Sequence, residues 1–370
     1  MTSVWRPEHL ADLKVPRANE APLITAADVR PISIDHDVWD MWPLALADGS
    51  PAPVLGGELW MFLAAPRFDD PGLRHDCAQI RLFHRVADAW RDLGPIWPSH
   101  LSPGAREWSG SALLAPESGR VALFFTAAGR PGRPERRFEQ RLFSAVARLE
   151  TVGDLPYLTD WSTPKEIVAA DGADYVVTGE APPTPGFIKG FRDPGYVHDP
   201  ADGGDYVLFT GSAATSRHAF NGVIGWARAS EAGLGAWTLL PPLVSADGLC
   251  NEMERPHVIL RDGLYYLFWS SQTGVFAPDG PQGPTGLYGM VAKRLAGPYR
   301  PLNGSGLVLA NPAAAPAQAY CWWVTPDLRV ISFIDAWRDD TRAPGGRAFG
   351  GTVAPTLRLA LDGKKARLAD

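Results

Sequence analysis

YYLFW, residues 265–269, sits directly behind the turn residues Asp262 and Gly263 and Leu264. Five consecutive large apolar residues bounded by turn signals have the length of a strand, not of a helix, and their aromatic content favours β structure. A run without polar alternation belongs to a strand covered on both faces. Downstream lie two more strand-like segments, Gly286–Arg294 (GLYGMVAKR) and Gly297–Leu302 (GPYRPL), and upstream lies the polar cluster Asn251–His257 (NEMERPH). Inner strand, turn, apolar strand, loop, third strand and outer strand is the plan of one propeller blade.

The plan recurs along the chain. LWMFL (Leu59–Leu63), VALFF (Val121–Phe125), YVLFT (Tyr206–Thr210) and VISFI (Val330–Ile334) repeat the apolar run, and successive runs start 62, 85, 59 and 65 residues apart. Each interval holds about one four-stranded sheet. After Tyr206–Thr210 come Gly222–Arg228 and Trp237–Leu240, matching the segments after YYLFW. Five copies predict an all-β chain, a five-bladed β-propeller with a central axial pocket. Phe83–Leu93 and Gln140–Leu149 have an amphipathic spacing that also suits helices, but they fall at strand positions of the plan and are read as strands. The basic, Pro/Gly-rich Gly129–Arg137 reads as a solvated loop that helps fill the one long interval. No Ser/Gly-rich linker divides the chain, so residues 1–370 read as a single domain, with residues 1–30 an N-terminal extension packing on the propeller.

Composition narrows the function. The 370 residues are 45% apolar and 21% charged, and 35 Lys+Arg against 41 Asp+Glu leave a net charge of −6. Nothing in that balance draws the surface to nucleic acid or to anionic lipid. Without a window of 18 apolar residues, no membrane-spanning helix is expected. Cys77, Cys250 and Cys321 lack CxxC spacing, and His36, His198 and His257 are not at ligand spacing, so neither a metal nor another cofactor is expected. Met1–Thr25 has no apolar signal-peptide segment, which points to the cytoplasm.

The chemistry gathers ahead of the apolar runs. Trp39–Pro43, Glu107–Ser111, Phe191–Pro194, Asn251–His257 and Gln318–Tyr320 each precede one of them. In a propeller the start of the innermost strand faces the axis, so the five clusters are expected to converge on one pocket. That pocket would hold the carboxylates of Asp40, Asp193, Glu252 and Glu254, the guanidiniums of Arg192 and Arg255, and the flat faces of Trp39, Trp42, Trp108 and Tyr320. Aromatic faces beside carboxylates and arginines suit a sugar, with its apolar C–H face and rim of hydroxyls. Ser109 and Ser111 lack the GxSxG context of a nucleophilic serine. Glycosidic cleavage needs one carboxylic acid to protonate the leaving oxygen and a second carboxylate to attack or to activate water. Asp40 and Glu254, from different blades, form such a pair. Glu252 and Glu254 alternate and are expected to point the same way on a strand. His257 reads as a packed histidine.

The same residues carry a resemblance. VWDMWP (Val38–Pro43), EWSGSA (Glu107–Ala112), FRDP (Phe191–Pro194) and NEMERPHV (Asn251–Val258), in that order, resemble glycoside hydrolase family 68, the levansucrase, inulosucrase and β-fructofuranosidase group. The resemblance implies a five-bladed propeller and a retaining fructosyltransferase acting on sucrose, with fructan, sucrose or water as fructosyl acceptor. It implies that Asp40 is the nucleophile, Asp193 the transition-state stabiliser and Glu254 the acid/base. Trp39, Trp108 and Ser109 would shape the fructosyl subsite, with Arg192, Glu252 and Tyr320 towards the glucosyl or acceptor side, and Arg255 is also expected to bind substrate. Gln272, after the fourth apolar run, stands where family members carry Arg or His. Members with a structural calcium carry Asp where this chain has Asn251, so no calcium is expected. Some bacterial members reach the outside without a cleaved leader, which keeps an extracellular location open beside the cytoplasm. Other readings are a mainly hydrolytic β-fructofuranosidase, a hydrolase of another furanoside, and a non-catalytic sugar-binding propeller.

Overall fold

The computed structural model describes residues 2–132, 138–179, 188–230, 234–338 and 347–369. Of the basic loop read from the sequence, residues 133–137 lie outside the described residues. The described chain is all-β, and its only helical elements are five short 3-10 segments. All five apolar runs are strands, within Gly57–Pro66, Arg120–Ala128, Gly204–Ser212, Leu264–Ser271 and Arg329–Ala336. The two ambiguous segments are strands too. Phe83–Leu93 is divided between Gln79–Val86 and Ala89–Pro95, and Gln140–Val152 is one long strand.

Each apolar strand is the second of an antiparallel meander. The first meander starts with His36–Ala45, the second with Arg106–Ala115, the third with Phe191–Asp199, the fourth with Glu254–Arg261 and the fifth with Ala319–Val324. The first and second share a ten-stranded sheet, because Leu44 and Ala45 pair in parallel with Ala112 and Leu113; the other three form separate five-stranded sheets. Sequence spacing alone gives no warning of that junction.

Neighbouring sheets pack through aromatic faces. Phe124 of the second meander stacks on Tyr196 of the third at 5.7 Å and meets the edge of Trp237 at 5.6 Å, within the range for favourable ring pairs. The N-terminal residues join this packing: Ser3 and Val4 pair in parallel with Val244 and Ser245, and Trp5 is fully buried against Trp269 and Tyr288.

The first strands of all five meanders line one cavity of about 300 Å³, through residues such as Pro43, Ser111, Tyr196, Val258 and Trp323. These residues end the polar clusters or follow them along their strands. His257, on the same wall, is stacked on Trp323 at 4.4 Å and its Nε2 accepts from the Val324 amide at 2.9 Å, so it is the packed histidine the sequence suggested.

Candidate active site

Each of the five first strands breaks its pairing register at the polar cluster. The irregularities fall between Trp39 and Met41, Trp108 and Gly110, Arg192 and Gly195, Glu254 and His257, and Tyr320 and Trp323. A β-bulge re-aims a side chain and twists the strand locally. At four of the five, a non-glycine residue adopts left-handed backbone: Asp40 (φ 43°), Asp193 (φ 63°), Arg255 (φ 54°) and Cys321 (φ 53°). Such conformations cost on the order of 1–3 kcal/mol each and persist only where the surroundings over-determine them. Gly195 marks how tightly the third and fourth meanders meet here, since a Cβ at that position would lie 2.2 Å from the Pro256 carbonyl oxygen.

The bulges bring the carboxylates together. Asp193 is buried, with Ser109 Oγ donating to Oδ1 at 2.6 Å, the Arg255 amide reaching Oδ2 at 3.3 Å and Thr210 Oγ1 lying 3.0 Å from the same oxygen. Its own amide donates to Thr126 Oγ1 at 2.8 Å. Arg192 places one nitrogen, Nη2, 2.5 Å from Glu252 Oε2 and 2.7 Å from Glu254 Oε1. The other oxygen of Glu254 accepts from the Tyr320 hydroxyl. The Cys321 thiol neighbours Asp40 and favours its ionised form, and Arg255 Nη1 stands 3.9 Å from its Oδ1. That Nη1 has no hydrogen-bond partner among the described residues, while Arg255 Nη2 donates to the Met41 carbonyl at 2.5 Å.

Four carboxylates around two guanidiniums leave a crowded negative field. Burial raises Asp40 to about 6, with Arg255 and Cys321 pulling it down and Glu254 and Asp193 pushing it up. Burial raises Asp193 and Glu252 as well, against the opposing charge of Arg192. For Arg192 burial acts to lower the pKa, but the carboxylates of Glu254, Glu252 and Asp193 outweigh it and hold the guanidinium charged. Among the described residues, no three His, Cys, Asp or Glu side chains are grouped as metal ligands.

Most of the residues singled out in the sequence meet here, with two differences. Glu252 lies outside the strand, which starts at Glu254; the two carboxylates converge because they share Arg192, not because they alternate on one face. Gln272 is exposed, immediately after Ser271, whose hydroxyl donates to the Glu252 carbonyl at 2.7 Å. Trp39 is buried under Arg74, whose guanidinium carbon is 5.7 Å from the ring, and Trp108 is half-buried with Arg106 at 5.6 Å. Sequence reading missed Cys321, Thr126 and Thr210. The threonines had a usable signal, a polar residue closing an apolar run; Cys321 had only its place beside Tyr320.

Residues 11–223 and 217–369 match the profile of the levansucrase/invertase family, glycoside hydrolase family 68. The chain belongs to this family. It is 32% identical to a levansucrase of Rahnella aquatilis over 92% of this chain and 88% of that one. Among solved structures it is similar to the inulosucrase of Halalkalicoccus jeotgali bound to kestose, with 35% identity, a TM-score of 0.90 and coverage of 100% of this chain and 95% of that chain. It is also similar to the levansucrase of Gluconacetobacter diazotrophicus, with 25% identity, a TM-score of 0.85 and coverage of 100% and 90%. For this family member, the bulged strand starts are where four sequence blocks separated by dozens of residues become one site.

Proposed function

We propose that this chain is a sucrose-cleaving fructosyltransferase of the retaining type, built as a single domain whose five meanders are five propeller blades around one axis. The observation that carries the reading is the meeting of Asp40, Asp193 and Glu254, from three meanders, in one buried network with Arg192 and Arg255. Asp40 is the nucleophile. Its ion pair with Arg255 is long, 3.9 Å, and ionised it can attack C2 of the fructosyl unit to form a covalent fructosyl-enzyme. Glu254 is the acid/base: it protonates the departing glucosyl oxygen, then takes the proton of the incoming acceptor. Asp193, held on three sides by Ser109, Thr210 and the Arg255 amide, is the stabiliser that faces fructosyl hydroxyls as charge develops.

Trp39, Trp108 and Ser109 form the fructosyl subsite, and Arg192, Glu252, Arg255 and Tyr320 bound the glucosyl and acceptor side. Sucrose and fructosyl acceptors are the partners, and the similarity to levansucrases and to a kestose-bound inulosucrase supports transfer as the main outcome. The deciding experiment is incubation with sucrose alone, with glucose, fructose and longer products quantified separately. Glucose in excess over free fructose is the expected result. Absence of glucose release, or turnover by Asp40→Ala or Glu254→Ala near that of the unaltered chain, overturns the reading.

A further inference from the structure

Behind Glu252 lies a polar cluster that the reaction as described does not use. Lys189, two residues ahead of the Phe191–Asp199 strand, sends its ammonium into a ring of oxygens. It donates to the Ala219 carbonyl, to Asn221 Oδ1 at 2.5 Å and to Asn251 Oδ1 at 2.9 Å. Asn251 is fully buried, and its Nδ2 donates to the Ile188 carbonyl at 3.1 Å and lies 3.4 Å from Glu252 Oε1. One ammonium thereby ties together the approach to the third meander, the loop around 219–221 and the segment leading into the fourth.

The chemistry of an amide makes this arrangement directional. An asparagine offers an acceptor on one side and a donor on the other, and the two are exchanged by a half-turn. With an ammonium on Oδ1, Asn251 has one satisfied orientation, and that orientation turns its N–H towards Glu252. Without the ammonium, a turned amide would set an oxygen against the Glu252 carboxylate. We propose that Lys189 is a positioning residue for the acid/base, a half-buried cation that locks Asn251 and through it holds Glu252 on the Arg192 nitrogen shared with Glu254. The proposal rests on Glu254 being the acid/base. Burial works against the charge on Lys189, and the carboxylates of Glu252 and Asp247 work for it.

Three variants test the inference on the full chain, with initial rates of glucose release from sucrose and unfolding temperature measured for each. Lys189→Met keeps most of the stem and removes the charge; kcat is expected to fall roughly tenfold or more, with KM changing less. Lys189→Ala is expected to lose the same activity and to recover a substantial part of it on addition of ethylammonium, but not of neutral ethanol. Asn251→Asp still accepts from Lys189 but presents an oxygen to Glu252, so its kcat is expected to fall even where its unfolding temperature is kept. Wild-type kcat in both Lys189→Met and Asn251→Asp overturns the proposal. So does ethylammonium that restores the unfolding temperature of Lys189→Ala without its rate. An unaltered chain that releases no glucose overturns the sucrose reading itself, before any variant is compared, and takes this inference with it.

Discussion

The thiol of Cys321 neighbours the carboxylate of Asp40 and favours its ionised form, and both residues hold left-handed backbone at bulges in different meanders. Two strained positions thus support each other across the site. Asp40 has to be ionised to attack, so turnover is expected to fall as pH drops through about 6, the value to which burial lifts its carboxyl. Cys321→Ala removes a donor to the ionised form, which raises that pKa and moves the acid limb of the kcat/KM profile to higher pH by up to about one unit. Cys321→Ser keeps a donor and is expected to keep the limb near its original place. An acid limb unmoved in Cys321→Ala counts against the contact.

The raised pKa also carries a stability consequence. Folded Asp40 titrates near 6 against a reference value of 3.8, so the folded chain binds the proton more tightly than the unfolded one. Ionised Asp40 therefore opposes folding above pH 6, and the penalty fades as pH falls from 6 to 3.8. Asp40→Asn is expected to abolish turnover and yet to stabilise the chain at neutral pH by up to about 3 kcal/mol, a rise of roughly two pK units converted to free energy. Urea unfolding at pH 7.5 and at pH 4 checks this: the advantage should be present at the first and absent at the second.

Gly195 predicts a failure of packing. The Cβ of an alanine there would lie 2.2 Å from the Pro256 carbonyl oxygen, a backbone atom that cannot swing aside. Gly195→Ala is expected to cost about 1–3 kcal/mol or more, because the third and fourth meanders have to separate. Since Asp193 and Arg255 flank that contact, turnover should fall with the urea midpoint. An unchanged midpoint would contradict the close approach.

Gln272 is exposed just beyond the fourth apolar strand, and the family resemblance puts it on the acceptor side. Gln272→Arg or Gln272→His supplies a charged or aromatic donor for a growing chain and is expected to raise the oligosaccharide share of the products. Product chromatography at equal sucrose conversion reads the transfer-to-hydrolysis ratio; a ratio unaltered in both variants removes Gln272 from the acceptor path.

The apolar runs and their turns were legible because strand formation there is a local matter: five or so large residues between turn residues have no competing structure, and each run became the second strand of a meander. The polar clusters ahead of them were legible as residue types and as positions. The left-handed backbone at Asp40, Asp193, Arg255 and Cys321 was not, since neither arginine nor cysteine favours that region and no neighbouring residue announces it. Glu252 illustrates the same limit. Alternation suggested a shared strand face, whereas the carboxylate reaches Arg192 from outside the strand.

By itself, then, the chain's sequence determined an all-β molecule and which carboxylates, arginines and aromatic rings the site could draw upon. Only the tertiary structure decided which of them face one another: that Arg192 divides a single nitrogen between Glu252 and Glu254, that Ser109 serves Asp193, and that Cys321 serves Asp40. The reason is physical. Strand propensity and apolar burial act over a few residues, but these pairings join positions separated by 60 residues or more, and they exist only where packed sheets hold strained bulges in place.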